Sequence, residues 1–271
     1  MNSLSKFQQE VSGNIAALGT DVSLKALTLS WIQHSNIHNY TYNFSWLGRP
    51  IIQYPQDIVA MQELISTVKP DLIVETGIAH GGSLVFSASM LALLDYCEAL
   101  EKGETIDPHS ARRRVIGVDI DIRSHNRAAI EAHPMSNRID MIQGSSIAPD
   151  VVAQVRQRAS GYERVLVCLD SNHTHEHVLA ELEAYAPFTS QSSYCVVFDT
   201  LIEDMPEGMF ADRPWGKGNN PKTAVREYLR RLKEEGRTAM DGKALDFEID
   251  KSIEHKLMIT VAPDGYLRRS S

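Results

Sequence analysis

The chain of 271 residues has few cysteines, no excess of positive charge and no long apolar run. The three cysteines lie in apolar segments without metal-type spacing, which predicts reduced thiols and a cytoplasmic location. The net charge of −8 argues against a nucleic-acid binder that neutralises phosphates. No basic stretch precedes an apolar one at the start of the chain, and the longest apolar run, about residues 84–94, is short for a bilayer span. These shortages predict no signal peptide and no membrane insertion.

The remaining composition is that of a globular protein, with 43% apolar and 23% charged residues. Residues 1–45 form a predicted N-terminal arm, because a weakly helical start leads into a piece dense in tryptophan, tyrosine and phenylalanine. Such an arm could dock on the domain's own core, on a sister subunit or at the substrate pocket. We expect a homo-oligomer, with residues 46–271 forming the main domain.

Within that domain, apolar segments of strand length alternate with helical ones. Strands are predicted at residues 72–75, 114–119, 138–143, 164–169 and 193–198, with a final antiparallel pair at 247–249 and 256–261. Residues 201–220 are rich in Pro, Gly and Asp and predict a lid loop, followed by a helix at 223–235. The alternation predicts an α/β fold with a mostly parallel sheet of seven strands, helices on both faces and a C-terminal antiparallel hairpin.

The first strand runs into a glycine-rich turn at a helix start, LIVETGIAHGGS at residues 72–83. Glycines here let backbone N–H groups approach a ligand. Glu75 stands where a phosphate loop would have a basic residue, which favours a cationic or hydroxyl-rich ligand such as S-adenosylmethionine. The predicted cofactor residues in this stretch are Glu75, Thr76, Gly77, Gly81, Gly82 and Ser83. The alternative is an ordinary strand-to-helix turn.

Polar residues follow five successive predicted strands, and the C-terminal ends of parallel strands lie on one edge of a sheet. They are Glu75, Asp119, Gly144–Ser146, Asp170 and Asp199. Asp119 is placed to hold a ribose diol, and Ser145 is a further cofactor candidate. Dinucleotide enzymes use the same acidic residue, but the spacing Gly77-x-x-x-Gly81-Gly82 differs from the G-x-G-x-x-G of the NAD loop.

Asp170 and Asp199 on neighbouring strand ends predict part of a Mg²⁺ shell, with His173 as a general base. Asp170 is also a candidate for cofactor binding. A zinc site with His175 and His177 is disfavoured, because histidines two residues apart do not share a helical face. The alternative makes Asp170 a helix N-cap and the histidines a solvated first turn.

Several motifs together resemble the cephalosporin hydroxylase family, which includes rhamnosyl O-methyltransferase-like proteins. They are LIVETGIAHGGS, VIGVDID, LVCLDSNHTHEHV, YCVVFDT and GNNPKTAVREYL, within about residues 45–265. The resemblance implies a Rossmann-like class I methyltransferase fold, S-adenosylmethionine bound across Glu75, Gly77 and Asp119, and Mg²⁺ near the ends of the fourth and fifth strands.

The element D-x-x-H also resembles that of metal-dependent macrolide sugar O-methyltransferases, which implies a metal ligand at Asp170 and a base at His173. The chain departs from these relatives at the fifth strand, where their Glu-Asp pair is replaced by Phe198-Asp199. Glu203 is the candidate for the missing metal ligand, with Asp204 nearby.

The predicted function is therefore an S-adenosylmethionine-dependent, Mg²⁺-dependent O-methyltransferase acting on a sugar or a glycosylated small metabolite, as in carbohydrate or lipopolysaccharide biosynthesis. Asn219, Asn220 and Lys222 are candidates for acceptor recognition, although they also suit a helix start with Pro221 in its first turn. The alternatives are a non-catalytic S-adenosylmethionine-binding protein that assists a partner enzyme, and a nicotinamide oxidoreductase.

Overall fold

The computed structural model describes residues 3–270, so residues 1, 2 and 271 of the two predicted regions lie outside the described part. Its helices are α1 (Ser3–Thr20), α2 (Val22–Ile37), α3 (Pro55–Val68), α4 (Gly82–Lys102), α5 (Ser124–Glu131), α6 (Pro149–Ala159), α7 (His175–Tyr185), α8 (Pro221–Glu235) and α9 (Lys251–Leu257). Its strands are β1 (Phe44–Trp46), β2 (Arg49–Ile51), β3 (Leu72–Thr76), β4 (Arg114–Asp119), β5 (Ile139–Gln143), β6 (Val165–Leu169), β7 (Tyr194–Val197), β8 (Phe247–Ile249) and β9 (Tyr266–Arg269).

The main sheet has seven strands in the order β5-β4-β3-β6-β7-β9-β8. Strands β3 to β7 are parallel, and β9 runs antiparallel to both β7 and β8. All residues of β3 and β6 are buried, as expected for strands covered by helices on both faces. Two apolar clusters of buried residues lie on opposite faces of the sheet. The predicted fold class is confirmed, including the closing antiparallel pair.

One predicted strand is wrong. Residues 256–261 were expected to form the second strand of the final pair, but α9 ends at Leu257 and the strand is β9 instead. Asp250 caps this helix by accepting hydrogen bonds from the backbone N–H and the hydroxyl of Ser252. Ile253 packs into the core. The cap accounts for the start of α9, which includes only residues 256 and 257 of the predicted strand. Residues 258–261 form no regular element, and Thr260 Oγ1 and Val261 N donate to Asp57 of α3.

The arm residues form α1, α2 and a 3₁₀ turn at Tyr40–Asn43, and then the antiparallel pair β1–β2. The arm docks on its own domain. Helix α1 packs along α9, and Ile32 of α2 joins an apolar cluster with Tyr54, Leu201 and Met205. Contact of the arm with a sister subunit stays a prediction.

Helix α4 is long and apolar enough by composition to cross a membrane, and so is the pair α1–α2, which is bent by 73°. In the structure the apolar face of α4 covers the sheet, with Leu84, Val85 and Leu91 fully buried. Burial in a protein core accounts for the composition of α4. The absence of membrane insertion stays a prediction.

Candidate active site

The carboxyl ends of β3, β4, β6 and β7 lie side by side, because Thr76 pairs with both Val118 and Leu169, and Leu169 pairs with Val197. Each strand therefore places the polar residue at its end on the same edge of the sheet. Asp170 follows β6 directly and Asp199 lies two residues after the end of β7, and both line one cleft together with His173. The predicted convergence on one rim is present in the structure.

Asp170, His173 and Asp199 form a cluster in which one potential ligand atom from each residue lies within 4.8 Å of the others. His173 Nδ1 is 3.2 Å from Asp199 Oδ2. Asp199 takes the left-handed conformation (φ 56°), which Asp tolerates better than most residues, and turns the chain into the 3₁₀ helix at Thr200–Asp204.

The carboxyls of the cluster disfavour one another's ionisation. Burial raises the pKa of the Asp170 carboxyl well above its usual value, and Asp199 and Glu75 raise it further. Within residues 3–270, no Lys or Arg forms an ion pair with Asp170 or Asp199. Two neighbouring carboxyls whose nearest basic group is the His173 imidazole are an environment that a divalent cation stabilises.

The glycines of the first turn make room for the protein's own backbone. Gly77 has φ 90°, and a Cβ there would overlap with the carbonyl oxygen of Asp170. A Cβ at Gly82 would overlap with the carbonyl oxygen of Pro50, and one at Gly81 would meet Ile130. These glycines thus bring the turn against the end of β6 and against β2. The open side of the turn lines a small cavity of about 50 Å³ with Gln53 and Ser83.

Asp119 organises this turn from β4. Its Oδ2 accepts hydrogen bonds from the backbone N–H groups of Ile78 (2.8 Å) and Ala79 (3.2 Å), and its Oδ1 accepts one from Asp121 N (3.0 Å). The carboxylate lies beside the glycine turn as predicted. Its oxygens are nevertheless engaged with backbone, so a ribose diol would share or replace these contacts.

Glu75 is buried, and its Oε1 accepts a hydrogen bond from the hydroxyl of Ser83. Burial raises the pKa of Glu75 from 4.5 to about 7, and the hydrogen bond from Ser83 lowers it in part. Glu75, Ser83 and Asp170 surround a small cavity beside the glycine turn.

Two other predicted cofactor residues differ from Glu75 in their surroundings. Thr76 is fully buried, and its Oγ1 accepts from Asp170 N at 3.4 Å, so its side chain holds β3 to β6. Ser145 lies in the turn after β5, where its carbonyl accepts from Ala148 N, and it does not line the cavity at the glycine turn, the cavity beside Glu75 or the larger cleft that contains Asp170 and Asp199.

The cleft above the cluster has a volume of about 540 Å³. Its walls come from the arm, from the segment between β2 and α3 and from the lid, and include Asn36, Tyr42, Gln53, Tyr54, Phe210, Arg213 and Trp215. The ring of Trp215 meets that of His173 edge-on, with centroids 4.7 Å apart. Arg213 stacks over Trp215 at 5.5 Å. The aromatic content of the arm and Trp215 in the lid were the sequence signals of this pocket, whereas Gln53 carried none.

A model of the family described as rhamnosyl O-methyltransferase/CmcI matches residues 38–270. The chain belongs to this family. The rhamnosyl O-methyltransferase of Mycobacterium leprae (strain TN) is 26% identical over 233 residues, covering 85% of this chain and 86% of the relative. That of Mycobacterium tuberculosis (strain ATCC 25618 / H37Rv) is 26% identical over 218 residues, covering 79% and 73%. The apo structure of CmcI-N160 superposes with a TM-score of 0.52 at 19% identity, covering 85% of this chain and 77% of that one. This likeness supports the class I methyltransferase fold, and the predicted family is confirmed.

In this rhamnosyl O-methyltransferase/CmcI member, the predicted metal ligand Glu203 does not lie in the cluster. Its Oε2 accepts hydrogen bonds from Gly218 N (2.8 Å) and from Asn220 Nδ2, so it ties the start of the lid to its end. Residues 200–204 form a 3₁₀ turn after β7, which directs Glu203 away from Asp170. Phe198 is buried in the apolar core. The missing carboxylate is therefore not supplied by Glu203, and His173 is the third member of the cluster.

The three residues predicted to recognise the acceptor support α7 and α8 instead. Asn220 caps α8 by accepting from Thr223 N at 3.2 Å, and Asn219 Oδ1 accepts from His175 N at 2.9 Å. Lys222 is buried and pairs with Asp204 and Asp264. None of the three lines the cleft above Asp170. The helix-start interpretation holds, since buried polar groups at a helix end need partners of this kind.

Proposed function

We propose that this protein is an S-adenosylmethionine-dependent O-methyltransferase that acts on a hydroxyl of a rhamnosyl or similar sugar. The observation that carries the proposal is the cluster Asp170–His173–Asp199 at the base of a cleft that adjoins the glycine turn. Membership of the family and the rhamnosyl O-methyltransferases among the relatives support the reaction and the class of acceptor. The aromatic walls suit the apolar faces of a sugar ring.

The cofactor site is assigned to the glycine turn and the two acidic residues beside it. S-adenosylmethionine carries a sulfonium and an ammonium, and Glu75 is the carboxylate at the inner end of this site. A positive ligand next to a carboxyl whose pKa is about 7 favours its charged form. Asp119, at the outer end, is assigned to the ribose. A role for Ser145 in binding the cofactor, at the edge of this site, stays a prediction.

The metal site is assigned to Asp170 and Asp199. Their oxygens suit Mg²⁺, which keeps several waters and needs only a few protein ligands, so the loss of a third carboxylate at Phe198 is tolerable. When bound, Mg²⁺ would make an acceptor hydroxyl more acidic and orient it. The fit rests on the donor atoms and on the burial and nearby carboxyls that disfavour ionisation of Asp170, a cost that a bound cation would offset.

His173 is assigned as the general base. With Nδ1 protonated, its ring donates to Asp199 at 3.2 Å and leaves the lone pair of Nε2 free. Nε2 takes the proton of the acceptor hydroxyl, the oxygen forms a bond to the methyl carbon, and the S–CH₃ bond breaks, with its electron pair remaining on sulfur. The sulfonium becomes a neutral thioether. Most of the acceleration comes from holding the two reactants in line, because a sulfonium is already reactive.

The test is methyl transfer to p-nitrophenyl α-L-rhamnoside from labelled S-adenosylmethionine, with Mg²⁺ or with a chelator. We expect transfer that the chelator suppresses. Asp170→Asn should abolish the response to Mg²⁺ and leave the dissociation constant of S-adenosylmethionine within about threefold, because Asn keeps the size of the side chain beside the glycine turn and the assigned cofactor carboxylates, Glu75 and Asp119, lie on β3 and β4. Loss of cofactor and metal binding together would show that the two sites are misassigned.

His173→Gln separates the base from a metal ligand. If His173 is the base, His173→Gln should lower turnover by about a hundredfold and change the Mg²⁺ affinity little. A fall in Mg²⁺ affinity as large as that of Asp170→Asn would make it a ligand instead.

A second candidate function is a non-catalytic S-adenosylmethionine-binding protein that assists a partner enzyme. Phe198 at the position of a metal-binding carboxylate favours it. This candidate predicts cofactor binding without transfer to any hydroxylated acceptor, with or without Mg²⁺.

The homo-oligomer and the cytoplasmic location also remain proposals. Exposed apolar side chains on α1 and α2, such as Phe7, Val22 and Leu27, support an interface on the arm. The free thiols of Cys97, Cys168 and Cys195 suit a reducing compartment. Light scattering after gel filtration measures the mass of the assembly and tests the homo-oligomer. Cell fractionation tests the cytoplasmic location.

A further inference from the structure

Gln53 occupies a special position between the cavities of the active site. The cleft above the cluster, the cavity at the glycine turn and the small cavity beside Glu75 have two lining residues in common, Gln53 and Asp170. A methyl group that passes from a cofactor at the glycine turn to an acceptor in the cleft must cross the place where these cavities meet. Gln53 and Asp170 therefore flank the transfer point.

The side chain of Gln53 is 6% exposed, and no residue among 3–270 forms a hydrogen bond with its amide. Its amide atoms are not among the enclosed side-chain atoms that lack a partner, such as Gln56 Oε1. The amide thus opens into the cavities. Buried amides in folded proteins are nearly always hydrogen-bonded, so one that is left open inside an active site points to a ligand.

The backbone on both sides of Gln53 is anchored. Ile51 ends β2 and is buried, and the carbonyl of Tyr54 accepts from Asp57 N (3.0 Å) and Ile58 N (3.2 Å) in the first turn of α3. The hydroxyl of Tyr54 donates to Asn36 of the arm at 2.7 Å. The Cα of Gln53 is thus held between two anchored segments, which limits where its amide can reach in the cavities.

We propose that Gln53 is a positioning residue that binds the acceptor sugar. Its amide hydrogen-bonds to the sugar next to the reacting hydroxyl, across the transfer point from Asp170. A primary amide offers a donor and an acceptor at once, which matches a pair of adjacent hydroxyls on a sugar ring. This assignment rests on the proposed function and adds the residue that orients its acceptor.

The test replaces Gln53 by Met, which keeps the volume of the side chain and removes the hydrogen bonds. Gln56→Met is the matched control, because Gln56 lies in the same helix entry but lines none of the three cavities. Binding of p-nitrophenyl α-L-rhamnoside is measured by calorimetry on enzyme saturated with S-adenosylhomocysteine and Mg²⁺. Turnover and the dissociation constant of S-adenosylmethionine are measured beside it.

We expect Gln53→Met to weaken rhamnoside binding and to lower turnover, each by about tenfold or more, while cofactor affinity stays within about twofold. Gln56→Met should match the wild type. Gln53→Glu keeps a hydrogen-bond acceptor and loses the donor of the amide, so its rhamnoside affinity and turnover should lie between those of Gln53→Met and the wild type. A loss of cofactor affinity in Gln53→Met would overturn the proposal and make Gln53 a cofactor-binding residue. If Gln53→Met bound the rhamnoside and turned it over as well as the wild type does, Gln53 would contribute only to packing, and the proposal would be overturned. Wild-type enzyme that binds no rhamnoside would refute the acceptor class, and with it this role for Gln53.

Discussion

Glu75 shows how one buried carboxyl can serve binding at a cost in stability. The side chain is 5% exposed, and one hydroxyl, that of Ser83, donates to it. Desolvation outweighs that hydrogen bond and raises the pKa from 4.5 to about 7. The free protein therefore holds this group ready to ionise near neutral pH, where a cationic ligand gives the charge its partner.

The same shift makes folding depend on pH. Between pH 4.5 and about 7 the folded state binds more protons at Glu75 than the unfolded state does, so the free energy of unfolding falls as pH rises through this window. Glu75→Gln removes the ionisation and keeps an oxygen that accepts from Ser83. We expect the variant to be more stable than the wild type by roughly 3 kcal/mol at pH 8 and nearly equal to it at pH 4.5, as measured by urea unfolding.

Glu104→Gln is the control for this titration, because Glu104 is exposed in the loop after α4. Its stability difference from the wild type should be small at both pH values. If Glu75→Gln stabilised the protein equally at pH 4.5 and pH 8, the ionisation of Glu75 would not be the cause.

At the scale of elements, the site depends on how closely the glycine turn approaches the end of β6. Gly77 packs on the backbone of Asp170, so the predicted cofactor turn and the predicted metal ligand are in direct contact. A change at the turn must therefore displace both. This coupling follows from the packing of adjacent parallel strands.

Gly77→Ala tests the contact. The added Cβ would overlap with Asp170 O, and the backbone has φ 90°, so we expect S-adenosylmethionine and Mg²⁺ affinities both to fall by about tenfold or more in calorimetry. Gly48→Ala is the matched control, with a similar φ of 84° and no atom within 4 Å of the new Cβ. It should lose some stability and keep both affinities. Loss of cofactor affinity alone in Gly77→Ala would contradict the coupling.

Helix α3 is joined to the end of the chain by Asp57, which the sequence marks only as a first-turn carboxylate. The carboxylate is fully buried and accepts from Thr260 Oγ1, Tyr266 Oη (2.9 Å) and Val261 N (2.9 Å). Burial raises its pKa to about 6 in spite of these donors. Asp57 thus holds the segment that precedes β9 against α3.

Asp57→Ala should lower the free energy of unfolding by about 3–5 kcal/mol at pH 7, because it leaves three buried donors without an acceptor. Tyr266→Phe removes one of the three donors and should cost about 1 kcal/mol. Urea unfolding of both variants measures the difference. Equal losses in the two variants would mean that the tyrosine contact alone accounts for the effect.

At the scale of the whole molecule, the acceptor cleft is assembled from parts far apart in the chain. Residues 36–42 of the arm form one wall and residues 201–215 of the lid form another, above the cluster at the sheet edge. Trp31 holds the arm in place, with its ring 5.0 Å from that of Tyr40 and 6.1 Å from that of Tyr54. The arm is thus assigned to the acceptor, while the cofactor residues belong to β3, β4 and the turns after them.

Trp31→Ala should therefore weaken binding of the acceptor and leave binding of the cofactor nearly unchanged. Two aromatic contacts are lost, and we expect the KM of the rhamnoside to rise by about tenfold, with the dissociation constant of S-adenosylmethionine within about twofold. Leu27→Ala, on the same helix and 67% exposed, is the control and should leave both constants unchanged. An equal change in both constants for Trp31→Ala would show that the arm supports the domain as a whole.

The parallel core of this protein is determined locally. Each of β3, β4 and β6 is a short apolar run that ends in a polar residue and precedes a helix, and these patterns alone predict that Glu75, Asp119 and Asp170 share one rim. Period and composition predict elements of this kind because burial on both faces leaves little choice of side chain. The family resemblance added the chemistry of the site.

Long-range packing decided the remaining features, since they depend on residues that are distant in sequence. Glu203 suits a metal ligand by its place after β7, but the lid folds back and Asn220 binds it. Gln53 has no mark in the sequence, and only the packing of β2 and α3 places it between three cavities. Residues 256–261 are a helix end followed by an irregular segment, and Thr260 and Val261 of that segment donate to Asp57, about 200 residues earlier in the chain.

The sequence by itself determined which side chains reach the sheet edge, because strand periodicity and the polar residue at each strand end are local properties. The tertiary structure decided which of these side chains meet, because contact there is set by the packing of arm, lid and turn around that edge.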